Sequence, residues 1–107
     1  MRLYVPATVD LLGDYRDAAS IPEDVERIVA ADDSEEAEYL ALMTAADASA
    51  ALGADRRVVI VADRPIEYGA IYWSELVALH ADGTPFTDPD EEPGWYGVQE
   101  VGEILGG

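Results

Sequence analysis

A chain of 107 residues has room for one domain and one core, because dividing it leaves neither half enough buried surface to stand alone. Half of the residues are apolar, enough for that core, while 23 carboxylate residues against six arginines and no lysine give a formal net charge of −17. This charge argues against a nucleic-acid-binding or anionic-membrane-binding surface, since self-repulsion already opposes the fold, and the absence of cysteine excludes disulfides, thiolate metal sites and a cysteine nucleophile.

Three readings of the acidity remain: a solubilising surface, adaptation to a salt-rich cytoplasm, or imitation of nucleic acid in front of a basic partner. The N-terminus lacks the apolar core of a signal peptide, and no window approaches the roughly 18 apolar residues of a membrane span. A cytoplasmic protein is the expectation.

In chain order, Arg2 to Val5 reads as a strand closed by Pro6, which has no N–H for a ladder. Thr8 is placed to cap a helix over Val9 to Ala18, with Leu11, Leu12 and Tyr15 inward. Ser20 to Ala31 opens like a helix at Ser20-Ile-Pro-Glu, yet the neighbouring Ile28 and Val29 equally suit a short extended segment. Ser34 to Leu52 is the longest consistent element. Asp33 or Ser34 caps it, Glu35, Glu36 and Glu38 oppose the helix dipole, and Gly53 supplies the left-handed stop. Its expected inward stripe is Leu40, Met43, Ala46 or Asp47 and Ala50, broadened by Tyr39, Leu42 and Leu52; the alanines keep the helix slim enough for close approach.

Arg56 to Asp63 is a continuous β-branched run of the kind buried in mid-sheet. Ile66 to Trp73, interrupted by Gly69, reads as an irregular crossing or edge strand. Ser74 to Asp82 follows as a strand with Leu76, Ala78 and His80 on one face and Val77, Leu79 and Ala81 on the other, an amphipathic helix being the second choice. Gly83 to Gly94, with three prolines and four acids, reads as a partly disordered loop. Trp95-Tyr96 suggests a short last strand, and Val98, Val101, Ile104 and Leu105 a closing helix.

The expected fold is α/β in the broad sense (α+β): one small domain over residues 1–107, with about four strands packed against two to four helices. Helices on one face leave the other needing a partner or bulky aromatics, which singles out Tyr72, Trp73, Trp95 and Tyr96.

The opening Met-Arg-Leu-Tyr-Val-Pro-Ala-Thr, the Glu35-Glu-Ala-Glu-Tyr-Leu-Ala helix start, the Arg56-Arg-Val-Val-Ile-Val-Ala-Asp-Arg-Pro strand, the Val77-Ala-Leu-His-Ala-Asp strand and the closing Trp95-Tyr-Gly-Val-Gln-Glu-Val occur in an order that spans most of the chain. Together they resemble a group of small, acidic actinobacterial proteins classed as a domain of unknown function. Set beside that group, this chain looks shorter than the usual member, chiefly between the Leu79-His-Ala-Asp82 block and Trp95. The resemblance implies no reaction, cofactor or catalytic residue.

For chemistry, His80 is the one histidine, near a strand end and two residues from Asp82, so that both side chains project to one side of the strand. Asp63, at the end of the buried strand, is a second acid for catalysis, or for a hard cation with Asp82 or Glu67. Turn and cap roles are the commoner use of such aspartates, and Asp88-Pro-Asp90-Glu-Glu lacks EF-hand spacing. No metal and no cofactor are expected. Trp73, Trp95 and Tyr96 either complete the core or, with Glu35, Glu36 and Glu38, anchor a protein interface.

The leading expectation is a non-enzymatic protein-binding module with a protein partner, or a homodimer through an exposed sheet face. A decoy for a basic, nucleic-acid-binding partner requires Asp32, Asp33, Glu35, Glu36, Glu38, Asp88, Asp90, Glu91 and Glu92 on one face. The alternative is a small enzyme using His80 with Asp63 or Asp82. The chain itself is expected to bind neither nucleic acid nor membrane.

Overall fold

Four β-branched residues in succession, Val58-Val59-Ile60-Val61, present apolar side chains to both faces of a strand and therefore fit only where both faces are covered. In the computed structural model, which describes residues 1–106, they lie in the middle strand of a five-stranded sheet. The elements run β1 (Arg2–Ala7), α1 (Val9–Ala18), β2 (Ser20–Ile21), β3 (Ile28–Val29), α2 (Glu35–Ala51), β4 (Val58–Asp63), β5 (Ile71–Tyr72), β6 (Leu76–Ala81), β7 (Gly94–Tyr96) and α3 (Val101–Leu105). The sheet order is β3-β1-β4-β6-β7, antiparallel throughout, and β2 pairs with β5 as a separate ribbon. This is an α+β domain, with one strand more in its main sheet than the four expected. Among the described residues no helix is long and apolar enough to cross a membrane.

Helices cover both faces, not one. Alternate residues Leu3, Val5, Ala7, Val58, Ile60, Ala62, Leu79 and Ala81 pack with Leu12 and Tyr15 of α1, Ile104 of α3 and the β2–β5 pair Ile21 and Ile71. On the other face Tyr4, Val59, Val61 and Ala78 meet Ala41, Leu42, Ala45 and Ala46 of α2. The inward surface of α2 is thus mostly small residues with Leu42 among them; of the expected stripe it keeps Ala46 and Leu42, and Leu40 is turned out. Leu40 and Tyr39 point outward, being 57% and 47% exposed. Burying alanine lets α2 sit close enough for the Ser49 hydroxyl to donate to the Ala7 carbonyl at 2.6 Å and accept from the Val58 N–H at 2.9 Å, tying β1 and β4 to the helix.

Several local features follow from side-chain chemistry. Thr8 Oγ1 accepts from the Leu11 N–H to cap α1, and Ser34 Oγ accepts from the Ala37 N–H to cap α2. Gly53, at φ 91°, turns the chain after α2 as expected. Pro6 continues β1 instead of ending it, opposite Val59 and beyond the reach of β3, which pairs only with Leu3 and Tyr4. The extended alternative at Ile28 and Val29 is realised as β3, while Ser20–Ile21, expected as a helix start, forms β2. The Arg27 guanidinium holds the turn between them by donating to the Pro22 and Glu23 carbonyls, and bridges to Glu67 and Gly69.

A bulge in β6 changes its expected facing. Val61 pairs with Ala78 and Ala62 with Leu76, so Val77 is the extra residue; Leu76 joins Leu79 on the α1 side while Val77 is exposed. The acidic loop after β6 is tied down rather than loose. Arg57 donates Nε and Nη2 to the two carboxylate oxygens of Asp82, at 2.8 and 2.9 Å, reaches the Pro89 and Glu91 carbonyls, and lies 4.6 Å from the Phe86 ring centre.

Candidate functional site

Because α2 packs on β3, β1 and β4, the β6–β7 side of that sheet face has no helix directly above it. Pairing of His80 with Trp95 sets these two side chains beside each other there, since the flanking Leu79 and Tyr96 turn to the opposite face. The result is a groove of about 250 Å³ between the first turns of α2 and the β6–β7 ribbon. Tyr4, Leu42, Val61 and Ala78 supply its apolar floor; Arg2, Glu35, Glu38, Tyr39, His80, Glu92 and Trp95 form its walls.

Trp95 is 64% exposed, an unusual position for the largest apolar side chain. A second groove, lined by Leu40, Met43, Thr44, Asp47, Pro89 and Asp90, adjoins the first and shares Tyr39 as its ridge. Burial, then Glu38, pushes the Tyr4 phenol up, partly opposed by Arg2. Burial also pulls the His80 imidazole down, partly opposed by the Pro93 carbonyl and Glu92. The Pro93 oxygen, 3.4 Å from Nδ1, can only accept, so in the neutral ring the proton belongs on Nδ1 and Nε2 is left as an acceptor.

The groove is negative because the arginines are committed elsewhere. Arg27, Arg56, Arg57 and Arg64 each spend their guanidinium on backbone carbonyls of neighbouring loops or strands. A planar five-donor fork reaches several carbonyls at once in fixed directions, which gives arginine without lysine a physical use. Arg2 is drawn toward Asp63, 3.9 Å away. Among the described residues, Glu35, Glu38 and Glu92 take part in no ion pair.

Of the residues singled out from sequence, the structure gathers His80, Trp95, Glu35 and Glu38. Glu36 lies on the other flank of α2, with Asp32, Ile28 and Leu40. Trp73 and Tyr96 pack, half-buried, against the α1-side core. Asp63, His80 and Asp82 do not share partners: Asp63 meets the N-terminal ammonium and Arg2, Asp82 is buried against Arg57, and His80 stands opposite Val59, four residues from Asp63 along β4. The acids of the decoy idea divide similarly, with Glu35, Glu38 and Glu92 in the groove, Asp90 in its neighbour, and Asp32 and Glu36 on the far flank. Among the described residues no three potential metal-ligating side chains gather as a site.

Sequence reading missed Tyr4 and Arg2 as groove residues and assigned Tyr39 to the core. The run Ala41, Ala45, Ala46 signals Leu40, which a helix with those alanines inward must turn out; Tyr39, seven residues before Ala46, lies at the edge of the inward arc, where it lines the groove with Leu42.

A family of unknown function (DUF6912) has a model that matches residues 1–91. The matched stretch supplies α2 and β6, while Glu92 and Trp95 lie beyond it. No curated protein and no solved structure matches the chain.

Proposed function

Since the chain belongs to the DUF6912 family of unknown function, which lends it no activity, we propose from the groove itself that it is a non-enzymatic protein-binding module. The α2/β6–β7 groove is its docking face, and the partner presents basic side chains. The observation that carries this reading is Trp95, standing 64% exposed on a sheet face beside Tyr39 and unpaired carboxylates. Tryptophan and tyrosine combine large contact area with a polar tip, and they dominate the energy of protein interfaces. Carboxylates around such an anchor select a complementary partner and speed its approach.

The test is capture of partners from source-cell lysate by the wild-type chain, by Trp95→Ala and by Ile66→Ala, which alters an exposed apolar residue away from the groove. A partner retained by wild type and Ile66→Ala, lost by Trp95→Ala and released by high salt is the expected result. Identical capture by all three variants overturns the reading. The acids of a decoy, divided among the groove, its neighbour and the far flank of α2, do not form the one face that reading requires.

A further inference from the structure

Resting on that docking face, we propose that the groove recognises an arginine side chain carried on an extended segment of another protein, the guanidinium lying against the Trp95 indole and reaching the carboxylates of Glu35, Glu38 and Glu92. Three carboxylates against the single Arg2, itself turned toward Asp63, make the groove a place for a cation. Aromatic walls on the same groove favour a cation that is flat and weakly hydrated. A guanidinium stacks on an indole and donates in a fork to carboxylate oxygens; an ammonium is a compact, strongly hydrated point charge that gains less from either contact.

An extended segment fits the surroundings better than a free small molecule. The groove is open along α2 and continues across Tyr39 into the second groove, where Leu40, Met43 and Pro89 offer apolar contact to a residue flanking the arginine. The chain's own arginines leave the groove to a partner: Arg27, Arg56, Arg57 and Arg64 are held by carbonyls of their own fold.

The experiment is calorimetric titration of the full chain with three capped peptides of one sequence, Leu-X-Gly-Leu, where X is arginine, lysine or citrulline. Arginine is expected to bind about tenfold tighter than lysine, and citrulline, which keeps the shape without the charge, not measurably. Trp95→Ala should weaken the arginine peptide about tenfold, Trp95→Phe less, and Glu38→Gln should narrow the arginine-to-lysine ratio. Matching melting curves establish that the variants are folded. Equal affinity for arginine and lysine, insensitive to Trp95→Ala, overturns the proposal in favour of diffuse charge attraction. No binding of the arginine peptide also overturns it. The docking reading survives either result if lysate capture still depends on Trp95, and falls separately if capture does not.

Discussion

The two faces of one sheet have been finished differently. On the α1 side, Leu3, Val5, Ile60 and Leu79 interlock with Leu12, Ile21, Ile71 and Ile104 beneath two helices and a ribbon. On the α2 side Tyr4, Val59, Val61 and Ala78 face Leu42 and the alanines Ala41, Ala45 and Ala46, and one helix covers only part of the surface. A strand cannot choose between its faces, because alternate residues must serve both. What differs is the size of the residues opposite. Large aliphatics fill space and close a face; alanines draw the helix in but leave its neighbours to water. The first arrangement serves stability, and the second leaves a concave surface whose large side chains, Trp95 and Tyr39, are not used up by the core.

The common frame of both faces is the most damaging place to break. Asp82→Ala leaves Arg57 buried without its carboxylate, and denaturant unfolding should show a loss of about 3–5 kcal/mol. The same change should loosen the loop that Arg57 holds at Pro89 and Glu91, and with it the neighbouring Glu92 wall of the groove.

Next in size is truncation on the closed face. Leu79→Ala removes a fully buried side chain and should cost about 3 kcal/mol by denaturant unfolding. On the helix-covered face the sensitive change is enlargement: Ala45→Leu has no space under α2 and should cost about 1–3 kcal/mol through overpacking. If Ala45→Leu were neutral, the close approach of α2 would not be set by its alanines. Trp95→Ala, at the uncovered end, should move unfolding by less than about 0.5 kcal/mol while abolishing partner capture. A large stability loss there would make Trp95 a core residue and erase the distinction between the faces.

The smallest effect concerns pH. Burial lowers the His80 pKa on folding, so the unfolded chain binds the proton more readily. Stability from this group is complete above the ordinary histidine value of about 6.5 and declines as pH falls through it toward the lower folded value. Between about pH 7.5 and 5.5 the wild-type melting temperature should fall more than that of His80→Gln. Equal slopes would mean that His80 is as solvated folded as unfolded.

Much of the closed face was legible in the sequence. The capped helix over Val9–Ala18, the buried run at Val58–Val61 and the inward Leu12 and Tyr15 rest on local rules that tertiary structure had no reason to override. The open face was less legible. In α2 alanine and leucine carry the same apolar label, and only the sheet decides whether the small or the large set turns inward. The bulge at Val77 moved Leu76 to the other face, and nothing in Leu76-Val-Ala-Leu announces a bulge. Among the candidate site residues, His80, Trp95, Glu35 and Glu38 converge because β7 returns beside β6, a pairing that sequence suggested only as a last short strand. Trp73 and Tyr96 resemble Trp95 in type, yet strand alternation and the turn after β5 sent them to the opposite core.

Those two tryptophans supply the most direct test. In a proton–nitrogen spectrum the chain gives two indole N–H signals, assignable with Trp73→Phe, one from the exposed groove and one from the half-buried α1-side core. On titration with the arginine peptide, the Trp95 indole should shift with saturation while the Trp73 indole stays in place. Movement of Trp73 with Trp95 unchanged would contradict the claim that the uncovered end of the sheet is where this protein meets its partner, and no shift of either signal would contradict arginine as the group it meets there.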